Sequence, residues 1–474
     1  MQTFGFVPTA DQAKATAVFS RFLLDRDGSS VMIMRGSAGT GKTSLAAAIV
    51  KTLVKLRQRV ILLAPTGRAA KVFSVNAGRP AFTIHRRIYR QKTFAGESTG
   101  FSLNDNMYHD TLFIVDEASM IANGGGGEGA VFGTGCLLDD MVSFVYGGHN
   151  CRMMIIGDMA QLPPVGEEES PALMADFMAG YGLKVYQCDL NEILRQASGS
   201  GILYNATEIR SMITHDEVTR LPKITFSGFA DIRMVPGGEL IEQLNSSYSE
   251  VGTDETIVIT RSNKRANAYN AGIRGMVLGR EEELTTGDML MVVRNNYYWT
   301  EKAAAEEKAL EDSSTGNGDE RKAESQALPF IANGDRAMVV RVRNLREFYS
   351  LHFADVWLQF PDYDNYEIMV TAVTDSLMAE APALTREQSE RLFNGVMEDY
   401  QDVPLKADRL KKVRQDPCYN ALQIKYAYAV TCHKAQGGQW AHIYVDQGYM
   451  TDDMLSPDYI HWLYTAFTLS LIHI

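Results

Sequence analysis

Gly36, Gly41, Lys42 and Thr43 stand at a spacing suited to holding a polyphosphate: a glycine, four residues, then Gly-Lys-Thr, in the run GSAGTGKT over 36–43. Glycines let backbone N–H groups turn inward with no Cβ in the way, and a helix that starts at the lysine adds the positive end of its dipole. Lys42 would reach the outer phosphates, and Thr43 would hold a divalent cation. Ala38, Gly39, Thr40 and Ser44 complete the loop whose main chain would wrap that group. A second set of groups suits hydrolysis. Asp116 and Glu117 follow the apolar run Thr111–Val115, an arrangement in which Asp116 would bind the same cation through water and Glu117 would orient and deprotonate an attacking water.

These groups need elements to carry them. The phosphate-type loop is preceded by the apolar Val31 to Met34 and followed by Leu45, Ile49, Leu53 and Leu56 at helical spacing, so strand, loop and helix come in the order that such a loop requires. Further near-continuous apolar runs, Arg59 to Pro65, Arg152 to Ile156 and Val185 to Leu190, have the composition of parallel strands buried on both faces. Five such strands separated by helices predict a doubly wound α/β domain, with chemistry at the carboxyl ends of the strands. Pro65 and Thr66 open one strand tip into Thr-Gly-Arg, and Gln161 stands in GDMAQLPP at another. Thr9 is placed to cap a helix that begins near Ala10. Gln12 on that helix either reads an adenine edge, to which a carboxamide can donate and accept at once, or is a surface glutamine.

Residues 90 to 110 are rich in Gly, Ser, Thr and Asn and predict a small inserted hairpin. Phe94 and Phe101 within it either stack on bases or anchor the hairpin to its host. A second repeat of the strand pattern begins at Thr256 to Ile259 and is interrupted. Residues 301 to 327 predict a solvated helix and loop, the alternating stretches between Ala337 and Val373 a small antiparallel barrel, and 375 to 415 charged helices. The host pattern resumes over Tyr426 to Val430.

Composition sets bounds. The 474 residues are 45% hydrophobic and 22% charged, enough for two to four domains. A formal net charge of −12 excludes a protein coated in basic surface, so any nucleic acid would be met in a local groove. Five cysteines without C-x-x-C spacing argue against a zinc site or a disulfide framework and for a reducing compartment. No apolar run approaches the ~20 residues of a membrane span, and no basic segment followed by an apolar core opens the chain. A cytoplasmic protein without a membrane partner is expected.

Taken in order, GSAGTGKT, APTGRAAK, TIHR, VDEASM, GDMAQLPPVG, LRQ, TRSNKRAN and AVTCHKAQGGQ resemble the superfamily 1 DNA helicases of the RecD-like and Dda-like branch, across nearly the whole chain. The resemblance implies two tandem RecA-like P-loop domains with a small hairpin insertion in the first and a β-barrel-containing insertion in the second. Domain 1 would span 1–195, domain 2 would comprise 196–284 and 416–474, and the accessory domain 285–415. It implies ATP and Mg²⁺ as ligands, with Gln12 as adenine reader, Gln161 as sensor of the γ-phosphate, and Arg195 reaching that phosphate. Gly437 would join the nucleotide site. Thr66, His85, Asn263, Thr431 and His433 would touch single-stranded DNA, with Pro65 beside them. The hairpin would be a pin that splits the duplex, the barrel a grip on it, and travel would run 5′ to 3′. The partners implied are single-stranded DNA and duplex junctions, acted on by a monomer in recombination, repair or replication.

The chain departs from the family's pattern at its last motif, where an arginine should follow Thr468 and Leu469 stands instead. Residues 469–474 are expected to be foreign to the natural protein, which would continue with arginine. Two alternatives to an active helicase follow: a catalytically impaired module that binds ATP and single-stranded DNA, and an ATPase subunit of a recombination nuclease complex.

Overall fold

The computed structural model describes residues 7–25, 27–91, 101–124, 133–192, 199–215, 220–313 and 330–470, without side chains over 307–313. Two compact units divide it: Met1–Pro236 with Ala435–Ile474, and Gly237–Lys434.

The first unit opens with helix α1 (Ala10–Leu24), capped by Thr9, and continues through β1 (Ser30–Gly36), α2 (Lys42–Lys55), β2 (Arg59–Ala64) and α3 (Gly67–Ala77). It proceeds through β3 (Ala81–Thr83), α4 (Ile84–Ile88), β4 (Tyr89–Gln91), β5 (Phe101–Leu103) and β6 (Thr111–Val115). Then come α5 (Leu137–Tyr146), β7 (Arg152–Gly157), α6 (Ala175–Gly180), β8 (Lys184–Leu190) and α7 (Gly201–Thr214). Six strands form one sheet in the order β3-β2-β6-β7-β1-β8, every neighbouring pair parallel. The sheet is buried on both faces, as its apolar runs require. Met32, Met34, Leu62, Ile114 and Ile156 pack against Phe22 of α1, Ile49 of α2 and Phe73 of α3. Alternate residues point the other way, where Phe113 meets Phe144 of α5 edge to face at 5.9 Å.

The sheet thus holds the five expected strands and one more. The extra strand, β3, has three residues, too few to show any alternation in sequence. In the expected hairpin, β4 and β5 pair antiparallel, Gln91 opposite Phe101, while Phe94 lies outside the described residues.

The second unit runs through α8 (Leu240–Glu250), β9 (Thr256–Thr260), α9 (Asn263–Gly272), β10 (Met289–Val292), α10 (Tyr298–Ser313), β11 (Arg336–Phe348), β12 (Leu351–Phe360) and β13 (Tyr366–Val373). It continues with α11 (Arg386–Asp399), α12 (Lys406–Arg414), β14 (Leu422–Tyr426) and β15 (Ala429–Thr431). Strands β10 to β14 close a barrel between β9 and β15, which pair parallel with Thr431 opposite Thr260. The barrel is not wholly antiparallel, because β13 and β14 pair parallel at Ala372–Leu422 and Val373–Gln423. Helices α11 and α12 supply the long crossover that a parallel pair needs, with Leu392, Val396 and Val413 packing against Phe353 and Val373. Tyr426 ends a barrel strand and Ala429 begins the next sheet's strand, so the run expected as one element is two.

A short helix, α13 (Cys432–Ala435), leads on to β16 (His442–Val445) and α14 (Pro457–Thr468), whose N-cap is Ser456. No helix among the described residues is long and apolar enough to cross a membrane.

Candidate nucleotide site

All six strands of the parallel sheet end at one edge, which fixes the sequence of chemistry along it. From one side the tips carry His85 after β3, Pro65 and Thr66 after β2, Asp116 and Glu117 after β6, Asp158 and Gln161 after β7, the 37–41 loop after β1, and Asn191 after β8. Parallel pairing makes this convergence unavoidable.

The loop after β1 is shaped by two left-handed glycines, Gly39 (φ 74°) and Gly41 (φ 77°), and Gly41 is the N-cap of α2. A Cβ on Gly36 would lie 2.9 Å from both the Leu190 Cβ and the Thr40 Oγ1, and one on Gly39 would lie 2.6 Å from Leu203. Thr40 Oγ1 donates to the Ser37 carbonyl at 2.8 Å, bracing the turn. The Lys42 ammonium donates to the carbonyls of Gly36 (2.7 Å) and Ser37 (3.0 Å), and Asp158 Oδ2 is 4.0 Å away. Thr43 is half-buried and Ser44 exposed on the first turn of α2. A backbone cradle that excludes Cβ atoms, a helix N-terminus and a half-buried lysine together fit the phosphates of a nucleotide.

Burial raises the carboxyls of both Asp116 and Glu117 above the ordinary range; for Glu117 the neighbouring Asp116 and Asp158 push the same way, while Lys42 opposes. Glu117 sits in the left-handed region at φ 54°, a conformation uncommon away from glycine, and its N–H donates to Asp116 Oδ1 at 2.9 Å. Asp116 and Thr43 have the donor chemistry for Mg²⁺.

Gln12 is fully buried. Its carboxamide oxygen accepts from the Thr9 N–H at 3.0 Å, closing a capping box, and its Nε2 donates to the Thr40 carbonyl at 3.0 Å. In this arrangement Gln12 ties α1 to the phosphate loop. The spacing Thr9-x-x-Gln12 is the signal that announces the capping role. Arg195 lies outside the described residues.

Three polar groups at this edge are absent from the sequence reading. Arg210 of α7 donates to Ser37 Oγ (2.9 Å) and Asn191 Oδ1 (2.9 Å), tying helix, loop and β8 tip together. Asp158, 4% exposed, accepts from the Ala160 N–H at 3.0 Å and from the Tyr464 hydroxyl at 2.6 Å. Tyr464 in turn accepts from the Ala38 N–H at 3.1 Å. It belongs to a polar face of α14 at spacing i, i+3, i+4, i+7. His461 Nδ1 is 2.9 Å from the Ala160 carbonyl, Thr465 Oγ1 accepts from Leu162 N–H at 2.8 Å, and Thr468 Oγ1 accepts from Gln161 Nε2 at 3.3 Å. Gln161 also accepts from Ser119 Oγ at 3.2 Å. A cavity of about 480 Å³ opens beside the loop, with Gly36, Arg35, Asp189, Arg210 and His461 in its wall. The last motif, ending at Thr468, is the one signal in the sequence for this helix, and none of its partners is near in sequence.

Further along the same edge, Thr66 caps α3 by accepting from Ala69 N–H at 3.2 Å, next to half-buried Pro65. Gly437 (φ 78°) approaches so closely that a Cβ would be 3.4 Å from Thr66 Oγ1 and 3.2 Å from Ala69 Cβ. The structure therefore sets Gly437 beside Thr66. His85 lies on α4, its ring 5.6 Å from that of Tyr89, and burial pushes its imidazole down to about 4, so the ring is neutral at physiological pH. Phe101 is buried in β5. In the second unit, Asn263 begins α9 just past β9, Thr431 ends β15 beside Thr260, and His433 follows, exposed. These three converge on the carboxyl edge of the β9–β15 pair.

A family model described as an AAA domain matches residues 10–221, and one described as a UvrD-like helicase C-terminal domain matches 426–468. The ATP-dependent DNA helicase dda of Enterobacteria phage T4 is 26% identical over 265 residues, 54% of this chain and 55% of the relative. The ATP-dependent RecD2 DNA helicase of Deinococcus radiodurans is 29% identical over 180 residues, 38% of this chain and 21% of the relative. The chain thus spans about half the length of the phage relative and about a fifth of the bacterial one. The crystal structure of Bacteroides Pif1 bound to ssDNA aligns over 98% of this chain and 90% of that one, at 16% identity and a TM-score of 0.45. The matched segments carry the phosphate loop, the carboxylate pair, the Gln161 loop and the polar face of α14, and the chain belongs to the superfamily 1 helicases, on the branch that includes the RecD-like and Dda-like proteins.

Proposed function

We propose that this chain is an ATP-driven motor that travels along single-stranded DNA and unwinds duplex DNA, in the 5′ to 3′ direction. The observation that carries the reading is the single sheet edge on which a phosphate loop, a carboxylate pair and the Gln161 loop stand beside Pro65, Thr66 and His85, the candidate strand contacts. ATP phosphates fit the cradle of residues 36–43, with Lys42 leaving its loop carbonyls for the outer phosphates. Mg²⁺, held by Thr43 and Asp116, would neutralise charge on those phosphates. Glu117 orients water and takes its proton, a task its raised carboxyl suits. Gln161, hydrogen-bonded to Ser119 and Thr468, relays the state of the site to α14 and to the neighbouring tips. Thr66, His85, Asn263, Thr431 and His433 would hold the strand through hydroxyls, amides and rings, contacts that tolerate any base. Arg195 would complete the phosphate site, the 90–110 hairpin would part the duplex, and the barrel would grip it. Recombination, repair and replication are the processes such a motor serves.

Leu469 favours a second reading. Its side chain is buried, 1% exposed, at the position where the family's arginine is expected. An arginine of this kind is worth about 10³ to 10⁵ in rate, so the chain with leucine would bind ATP and strand yet hydrolyse slowly. DNA-stimulated ATP hydrolysis and unwinding of 5′-tailed and 3′-tailed duplexes, for this chain and for Leu469→Arg, separate the readings. Unwinding of the 5′-tailed duplex alone, by either form, supports the motor. If neither form hydrolyses ATP with single-stranded DNA present, although both bind it, the binding-module reading replaces it.

A further inference from the structure

Tyr464 holds one hydrogen-bonding partner in the phosphate loop and the other on the neighbouring β7 tip. Its hydroxyl, on a side chain 1% exposed, donates to Asp158 Oδ2 at 2.6 Å and accepts from the Ala38 N–H at 3.1 Å. Asp158 Oδ2 is also 4.0 Å from the Lys42 ammonium, so the tyrosine oxygen lies within the immediate surroundings of the lysine that would meet the outermost phosphate. The amides over which an inner phosphate sits are those of the left-handed turn at Gly39 and Gly41 and of the first turn of α2; Ala38 precedes that turn. Resting on the nucleotide reading given above, we infer that Tyr464 is a specificity-determining residue that a terminal phosphate must displace from Ala38, so that the site distinguishes a nucleoside triphosphate from a diphosphate by whether α14 lets go.

The physical argument has two steps. One N–H cannot serve the tyrosine oxygen and a phosphate oxygen in the same place, so a triphosphate gains the loop only by breaking the Tyr464 contact. A diphosphate, which ends over the glycine turn and α2, leaves that contact intact. The displaced residue lies between His461 and Thr465, which bind the Ala160 carbonyl and the Leu162 N–H, so its release loosens the whole face of α14. That gives the helix a means of sensing the third phosphate through a side chain that takes no part in bond breaking.

Two measurements test this. Titration calorimetry with ATPγS and with ADP, both with Mg²⁺, would compare the wild type with Tyr464→Phe, which keeps the ring and removes only the oxygen. The variant should bind ATPγS about threefold to tenfold more tightly, the worth of one hydrogen bond no longer broken, and ADP within about twofold of wild type. Weaker ATPγS binding, or equal gains for both nucleotides, overturns the inference. Hydrogen exchange on the unmodified protein needs no variant: peptides covering 457–468 should exchange faster with ATPγS than with ADP, and equal exchange also overturns it. If the wild type binds neither nucleotide, it is the nucleotide reading itself that falls.

Discussion

Lys42 is the residue whose chemistry most depends on its surroundings. Its ammonium is held by two loop carbonyls, and the carboxylates of Asp116, Glu117 and Asp158 gather near it. Lys42→Ala leaves these buried anions without their cation, so nucleotide binding should weaken and DNA-stimulated ATP hydrolysis should fall by about 10² or more, measured by coupled assay. Arg210 acts at one remove. Arg210→Lys keeps the charge and loses the planar fork that joins Ser37 to Asn191, and should raise the KM for ATP severalfold with a smaller change in kcat. An unchanged KM would show that the fork does not shape the loop. The difference between these two residues is also a difference in legibility. Lys42 belongs to a local pattern whose backbone geometry dictates its spacing, so the sequence reveals it. Arg210 and Tyr464 reach the loop from 173 and 426 residues away, and no local rule announces contacts that only the packed sheet brings about.

At the scale of elements, burial made the long strands readable, and shortness hid the others. β1, β6 and β7 are apolar through nearly their whole length because helices cover both faces, whereas β3 has too few residues to carry a pattern. The parallel closure of the barrel was invisible for a different reason: β14 alternates like its neighbours, and its direction is set by the α11–α12 crossover, not by its own residues. Element-scale stability can be tested on α14. Thr465 is fully buried and serves the Leu162 N–H, so Thr465→Val would bury that donor without a partner and cost about 1–3 kcal/mol, read as an earlier urea transition of the first unit. The barrel carries a pH-dependent element. Asp335, 4% exposed, is pushed by burial, with Asp362 adding to it, to about 7 from an ordinary 3.8, although the Ala332 N–H and Tyr363 hydroxyl oppose the rise. Because the folded form holds its proton more tightly, this contribution to stability is full below about pH 4 and is lost as pH rises through 7. Melting temperatures at pH 5 and pH 8 should therefore differ more for the wild type than for Asp335→Asn, whose amide does not titrate. An equal difference in both would place the proton elsewhere.

Across the whole molecule, charge and proposed partner pull in opposite directions. A formal net charge of −12 repels a polyanion at long range, so an encounter with single-stranded DNA depends on local contacts. The contacts proposed for it are mostly uncharged: Thr66, Asn263 and Thr431 carry hydroxyls and an amide, and His85 is kept neutral by burial. Few phosphates would then be neutralised by protein cations, and few condensed counterions released. Since each released phosphate contact on a single strand contributes about −0.7 to the slope of log affinity against log salt, a shallow slope of about −1.5 to −3 is expected. Anisotropy of a labelled oligonucleotide in KCl from about 50 to 300 mM measures it, within the range where such slopes are linear. A slope steeper than about −5 would require some seven or more neutralised phosphates, and would mean that a basic surface dominates the grip in place of hydrogen bonds and stacking. Salt should also raise the association rate, where it lowers that of a basic protein, because screening here weakens a net long-range repulsion. An association rate that rises with salt while the affinity falls gently would be the kinetic mark of an acidic protein that holds its strand in a local groove.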